Sequence, residues 1–232
     1  MSLDVLLILF QVAVLVLAFS VHECAHAYAA MRLGDPTAFM LGRVTLNPVK
    51  HIDPWGSIVM PLLSLFSGAA LLGWAKPCPV TTRNFKNIRR DDIITTLAGP
   101  VSNLLMALAA LILLLVLKHI GADGIRSVIS AMLIAKHYPL PTDGLSNLFP
   151  IALLLYYGVV TNLLLFVFNL IPIPPLDGSR ILRYFLPYEV EKMYDRIGMF
   201  GILLVFFVGV RFLLPIFYVP LLNTFDGLLA RM

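Results

Sequence analysis

Charge is what this 232-residue chain has least of: 17 Lys and Arg and 13 Asp and Glu make up 13% of it, about half the share of a soluble globular domain. With 59% hydrophobic residues, that scarcity excludes an ordinary water-soluble fold and indicates an integral membrane protein. Cysteine is nearly absent, with Cys24 and Cys78 alone, which excludes a disulfide framework. No polar stretch is long enough to be a separate soluble module, so residues 1–232 are expected to form one membrane domain. No basic segment is interleaved with aromatic residues, and the net charge of +4 lies in the connections between apolar runs. Nucleic acid is therefore excluded as a partner, and the lipid bilayer is the expected neighbour of that charge. A basic segment is also missing ahead of the first apolar run, so that run is expected to be kept as a span rather than removed as a signal peptide.

Four apolar runs are long enough to cross a bilayer: residues 3–31, 93–117, 148–171 and 197–222. The last carries Arg211 and is expected to break at Pro215 and Pro220. Residues 58–72 form a shorter run of 15 between Gly56 and Gly73, too short for a complete crossing. They could form a short helix, a re-entrant segment or a buried hairpin, and are expected not to cross completely. Residues 39–47 alternate enough to suggest a strand, and 73–81 suggest a second extended piece that Pro77 and Pro79 confine to an edge. The stretch 118–147 is expected to be a loop, and 180–197 an interfacial helix with interleaved charged and apolar residues. The expected fold is an all-α polytopic membrane protein. Three transmembrane helices would form a core carrying a metal site, with a short membrane-associated β-hairpin or re-entrant segment and an additional C-terminal span.

The most polar part of the first run is His22-Glu23-Cys24-Ala25-His26. A charged group in hydrocarbon costs about 2.5–3.5 kcal/mol on insertion scales and marks function by default. A lone intramembrane His usually does no more than bond a neighbouring helix, but His22 and His26 are four residues apart and so share one helical face. With Glu23 between them this is H-E-x-x-H, in which two His bind zinc and the Glu is the general base. A chain with five His and three Glu rarely produces it by chance. Cys24 falls on the opposite side of the helix and is a packing residue, and Cys78 is a plain loop thiol. His51, His119 and His137 sit among ordinary loop polarity and are not expected to bind metal.

Two His do not complete a catalytic zinc site, which needs a third protein ligand and an open position. The best candidate lies in Asn169-Leu170-Ile171-Pro172-Ile173-Pro174-Pro175-Leu176-Asp177-Gly178, where three prolines end the third long run. Irregular backbone at that depth is tolerated only inside protein or along a wet cavity, and the Asp177 carboxylate can reach a metal from there.

These residues resemble the site-2 protease family of intramembrane zinc metalloproteases. H-E-x-x-H, a Gly-x-x-x-Asn segment (Gly99 to Asn103) and Asn-x-x-Pro-x-x-x-x-Asp-Gly (Asn169 to Gly178) occur in order over roughly residues 20 to 180. The resemblance implies one Zn2+ per chain held by His22, His26 and Asp177, with Glu23 as general base. It implies that Asn169 helps hold the substrate or the transition-state oxygen, and that Asn103 supports the site or positions the substrate strand. The implied substrates are single-span membrane proteins cut within or near their transmembrane segments. The chain has no room for a PDZ or CBS domain and looks like a minimal form.

Topology follows from the same pieces. If residues 58–72 return to the side they left, then 31–56, 73–92 and 175–197 share a face with 3, 5 and 4 basic residues, against 3 between 118 and 147. The positive-inside rule makes that face cytoplasmic, which places the site towards the cytoplasm of a prokaryotic cell membrane. The rival reading is a membrane metal transporter or metal-binding chaperone without hydrolytic activity. It is disfavoured because a transporter needs polar ligands through several spans and gains nothing from Glu23.

Overall fold

The structure, a computed structural model, describes residues 3–59, 75–138, 145–196 and 211–231. Its helices are α1 (Leu3–Leu33), α2 (Thr37–Met40), α3 (Ile88–Lys118), α4 (Ala122–Ala135), α5 (Phe149–Leu170), α6 (Asp177–Arg183), α7 (Tyr188–Arg196) and α8 (Leu214–Arg231). Four segments, Leu7–Leu33, Ile88–Lys118, Phe149–Leu170 and Arg211–Arg231, are long and apolar enough to cross a membrane. Among the described residues there is no strand.

Helices α1, α3 and α5 pack on one another, and α8 lies against α5 and α3. Small residues let the backbones approach, as expected where lipid gives no hydrophobic drive to association. Ala107 and Ala110 of α3 are buried against α5, and a Cβ added at Gly158 would stand 3.4 Å from that of Ala110. At one end of the bundle Lys136 reaches Asp226 of α8 at 2.6 Å, and Tyr156 donates to the same carboxylate at 2.9 Å. A buried carboxylate must be paired to be tolerated, and these bonds tie α8 to α4 and α5.

The opposite end is closed by Asp35, which is fully buried just beyond α1. Its Oδ1 accepts from Thr37 and from Asn84 Nδ2 (2.8 Å), and its Oδ2 from the Thr81 N–H (2.7 Å). Burial alone would raise the Asp35 carboxyl, but these donors outweigh it and hold the group below the usual carboxylate range. Lys76 N–H donates to the His51 carbonyl at 2.8 Å. The chain thus leaves α1 and rejoins α3 at the same end of the bundle. Of the 58–72 stretch expected to dip and return, residues 60–72 lie outside the described residues.

Four expectations are corrected. Residues 39–47 are not a strand: Asp35 gathers the start of α2, and turns follow. Phe39, Met40 and Leu41 are all exposed, so the alternation in sequence matches no alternation of burial. Second, the stretch 118–147 is not all loop, because Gly124, Ser127, Val128, Ala131 and Ile134 form the buried stripe of α4. Third, the segment Arg211–Arg231 does not end at its prolines: Pro215 stands in the first turn of α8, and the helix runs on through Pro220. A proline costs a helix about 3 kcal/mol, but opening the helix in hydrocarbon would leave several backbone groups unpaired at several kcal/mol each. Thr224 Oγ1 also donates to the Pro220 carbonyl at 2.9 Å. Fourth, the interfacial segment is two helices, α6 and α7, separated around Pro187.

Candidate active site

His22 and His26 lie 11 and 7 residues before the end of α1 at Leu33, about 16 and 10 Å along the axis at 1.5 Å per residue. Both are 5% exposed, and their rings stand edge to face with centroids 4.6 Å apart. Their Nε2 atoms are 3.0 Å apart, and Asp177 Oδ2, from the first turn of α6, lies 3.2 Å from one and 3.3 Å from the other. The three side chains that the sequence separates by about 150 residues therefore meet at one point.

The protonation of both rings can be read from their partners. Asn162 Nδ2 donates to the Gly158 carbonyl at 2.9 Å, a group that can only accept. That fixes Asn162 Oδ1 as the acceptor for Asn103 Nδ2 (2.9 Å), and hence Asn103 Oδ1 as the acceptor for His22 Nδ1 (2.6 Å). His26 Nδ1 donates to the Thr95 carbonyl at 2.8 Å. With Nδ1 donating, the neutral form of each ring leaves Nε2 as a lone pair, and the two Nε2 atoms face each other and a carboxylate oxygen that is buried without a hydrogen-bond partner.

Three such acceptors, converging in their unprotonated forms, are satisfied by a cation. Ligand atoms around a tetrahedral zinc with bonds of about 2.0–2.1 Å are about 3.3 Å apart, close to the 3.0, 3.2 and 3.3 Å found here. The donor set fits zinc, and neutral imidazoles held through Nδ1 are the form in which His binds metal.

Glu23 is half-buried beside this group, and its Oε2 is buried without a hydrogen-bond partner. Its charge reaches Cys78, whose thiol is pushed up to about 12 by burial first and then by Glu23. That thiol stays protonated. Cys24 bonds the backbone of Thr45 and is not a ligand. Asn169 Nδ2 donates to the Leu165 carbonyl of its own helix at 3.0 Å, which leaves its second N–H. Asn103, expected to support the site or position the substrate strand, is wholly buried with its amide spent on His22 and Asn162, where it orients the His22 ring. His51 Nε2 pairs with the Thr45 carbonyl and His119 Nδ1 with that of Leu115, both apart from the His22 group.

The sequence reading missed most of what α3 does. Asp92, Thr95, Gly99 and Asn103 recur at helical spacing and form one stripe facing the site. Gly99 is there because any Cβ would overlap the His26 imidazole and press on His22. Pro100 in the same turn has no N–H for the helix ladder. The spacing of these four residues was visible in sequence, but the acceptor at Thr95 is a backbone carbonyl, which leaves no trace in residue identity.

Comparison with known proteins agrees with this chemistry. The model of "Peptidase family M50" matches residues 10–210. A relative in Bacillus subtilis, "Putative zinc metalloprotease YwhC", is 37% identical over 201 residues, covering 86% of this chain and 80% of the relative. "Putative zinc metalloprotease Rip2" of Mycolicibacterium smegmatis is 29% identical over 82% of this chain, and that of Mycobacterium tuberculosis 29% over 87%. The chain spans 62% and 64% of the length of those two relatives. No solved structure gives a significant match.

Proposed function

The chain belongs to peptidase family M50, and from that membership we propose that it is an intramembrane zinc metalloprotease whose core of α1, α3 and α5 carries the catalytic site. The observation that carries this reading is the meeting of His22 Nε2, His26 Nε2 and Asp177 Oδ2 within zinc-edge distances beside an uncommitted Glu23 oxygen. A bound zinc supplies a Lewis acid that polarises the scissile carbonyl and acidifies a water. Glu23 takes the proton of the attacking water and later gives it to the leaving nitrogen. The free N–H of Asn169 donates to the oxyanion as it forms, once substrate is in place. His22 and His26 stay in one tautomer throughout, held by Asn103 and Thr95.

A peptide bond in a transmembrane helix is enclosed in its own hydrogen-bond ladder, so the substrate segment must unwind before it can be cut. The 75–81 segment belongs to no helix or strand among the described residues and carries Cys78, on which the charge of Glu23 acts, and we assign to it the reception of an extended substrate. The substrates are single-span membrane proteins, and the site faces the cytoplasm of a prokaryotic cell membrane, as the distribution of Lys and Arg indicates.

Protein purified in detergent is expected to carry about one zinc per chain. It should lose cleavage of a single-span substrate on chelation and regain it when zinc is restored. A zinc-free preparation with full cleavage would refute the reading. For the topology, single cysteines replacing Lys86 and Phe185 should both be labelled from the cytoplasmic side by a membrane-impermeant reagent. Labelling of the two from opposite sides would contradict the arrangement.

A further inference from the structure

Helix α6 has seven residues, too few to hold its position by its own hydrogen bonds, yet it carries Asp177 into the site. We propose that Asp92, Arg180 and Tyr184 form a mount that fixes α6, which makes Asp92 a positioning residue for the third metal ligand. The proposal rests on the assignment of His22, His26 and Asp177 as zinc ligands.

Asp177, Arg180 and Tyr184 follow one another at i, i+3 and i+7 and so lie along one face of the α6 segment. Arg180 donates to Asp92 Oδ1 at 2.6 Å, and the Tyr184 hydroxyl to Asp92 Oδ2 at 2.9 Å. Both oxygens of a carboxylate that is 5% exposed are therefore engaged by α6. Burial first, and then the Asp92 carboxylate, push the Tyr184 phenol up to about 12, so it remains a donor. Charge-assisted bonds of this length are the strong, directional kind. On its other side α6 is backed by the end of α5, where a Cβ at Gly178 would collide with the carbonyls of Leu170 and Ile171. The helix is thus held from two directions one turn from the ligand.

The same α3 stripe fixes the other two ligands, His26 through the Thr95 carbonyl and His22 through Asn103. Asp92 stands one turn before Thr95. A helix that supplies no ligand thereby sets the position of all three. If α6 were fixed by some other contact, the Asp92–Arg180 pair would be an ordinary buried ion pair like Lys136–Asp226, which has the same 2.6 Å separation at the far end of the bundle.

The two cases separate in the full chain in detergent, with zinc affinity measured against a chromophoric chelator and the visible spectrum recorded after cobalt substitution. Asp92→Asn is expected to weaken zinc by about 10- to 100-fold and to shift the cobalt bands. It should lower kcat with little change in KM. Asp92→Glu should recover part of the affinity, and Tyr184→Phe, which keeps the packing and removes one bond, should lose only a few-fold. Lys136→Gln should lower thermal stability and leave zinc affinity and the cobalt spectrum as in the wild type. Wild-type zinc affinity in Asp92→Asn, beside a His22→Ala variant that has lost zinc, would overturn the mount and leave the ligand assignment standing. Equal weakening of zinc by Lys136→Gln would overturn it too. If Asp92→Asn does not accumulate as folded protein, Tyr184→Phe decides, and an unchanged affinity and spectrum there would count against the mount. Full zinc and full cleavage in His22→Ala would overturn the assignment on which the proposal rests.

Discussion

Replacing Glu23 with Gln is expected to leave zinc in place and to lower cleavage of a single-span substrate by roughly 10²–10⁴-fold. Zinc should stay because Glu23 is not among the three side chains whose ligand atoms converge, and because Gln matches Glu in size. The rate should fall because the amide cannot take a proton, and the proton transfers to and from the attacking water and leaving nitrogen have no other base within the described site. A thousandfold loss corresponds to about 4 kcal/mol of transition-state stabilisation, more than a change of packing at a half-buried position normally yields. Measuring metal content and single-turnover cleavage on one preparation separates the two effects. Loss of zinc together with activity would make Glu23 a structural support of the centre, and normal cleavage would remove it from the mechanism.

How much of this was legible in the sequence depends on where each part of the site is encoded. His22, Glu23 and His26 could be read because helical spacing converts four residues of sequence into one turn of space. Asp177 could be picked out because three prolines and an Asp-Gly pair mark irregular backbone at a depth where such backbone must serve something. The organising role of α3 was not legible. One of its contributions is a main-chain carbonyl at Thr95, one is the absence of a side chain at Gly99, and Asn103 could be seen but not aimed. Helix α4 escaped for a related reason. Its buried stripe is built largely from Gly124, Ser127 and Ala131, which carry little hydrophobic signal, yet they are the sizes that let helices pack closely. The strand expected at 39–47 failed because alternation predicts a strand only where one face must leave water. Phe39, Met40 and Leu41 are exposed together at the end of a membrane bundle, where apolar side chains need no protein cover.

Gly99→Ala is expected to abolish zinc binding and cleavage while changing the stability of the helix bundle little. By helix propensity alone the substitution should help, since Ala is better than Gly inside a helix by about 1 kcal/mol. Gly99 also needs no special backbone conformation, because it is not among the glycines with positive φ. The opposing term is steric: the new methyl would occupy the position of the His26 Nε2 and Cε1 atoms and come within 2.7 Å of His22 Cε1. Overpacking of a buried contact costs roughly 1–3 kcal/mol when neighbours can yield. Here the neighbours that must yield are the two imidazoles proposed as ligands, each tethered through its other nitrogen to α3 itself. Swinging His26 away breaks its bond to Thr95 and removes a metal ligand, and spreading α1 from α3 separates Asn103 from His22. Either response disorders the centre, so zinc content and activity should fall together by more than a hundredfold, in line with loss of a metal ligand rather than of an outer partner. Gly158→Ala is the control on the same packing motif. Its methyl would meet only the Ala110 Cβ at 3.4 Å, an ordinary contact, and that variant should keep zinc and activity. A Gly99→Ala protein with normal zinc content and rate would mean that α1 and α3 are less closely packed at the site than the ligand geometry requires.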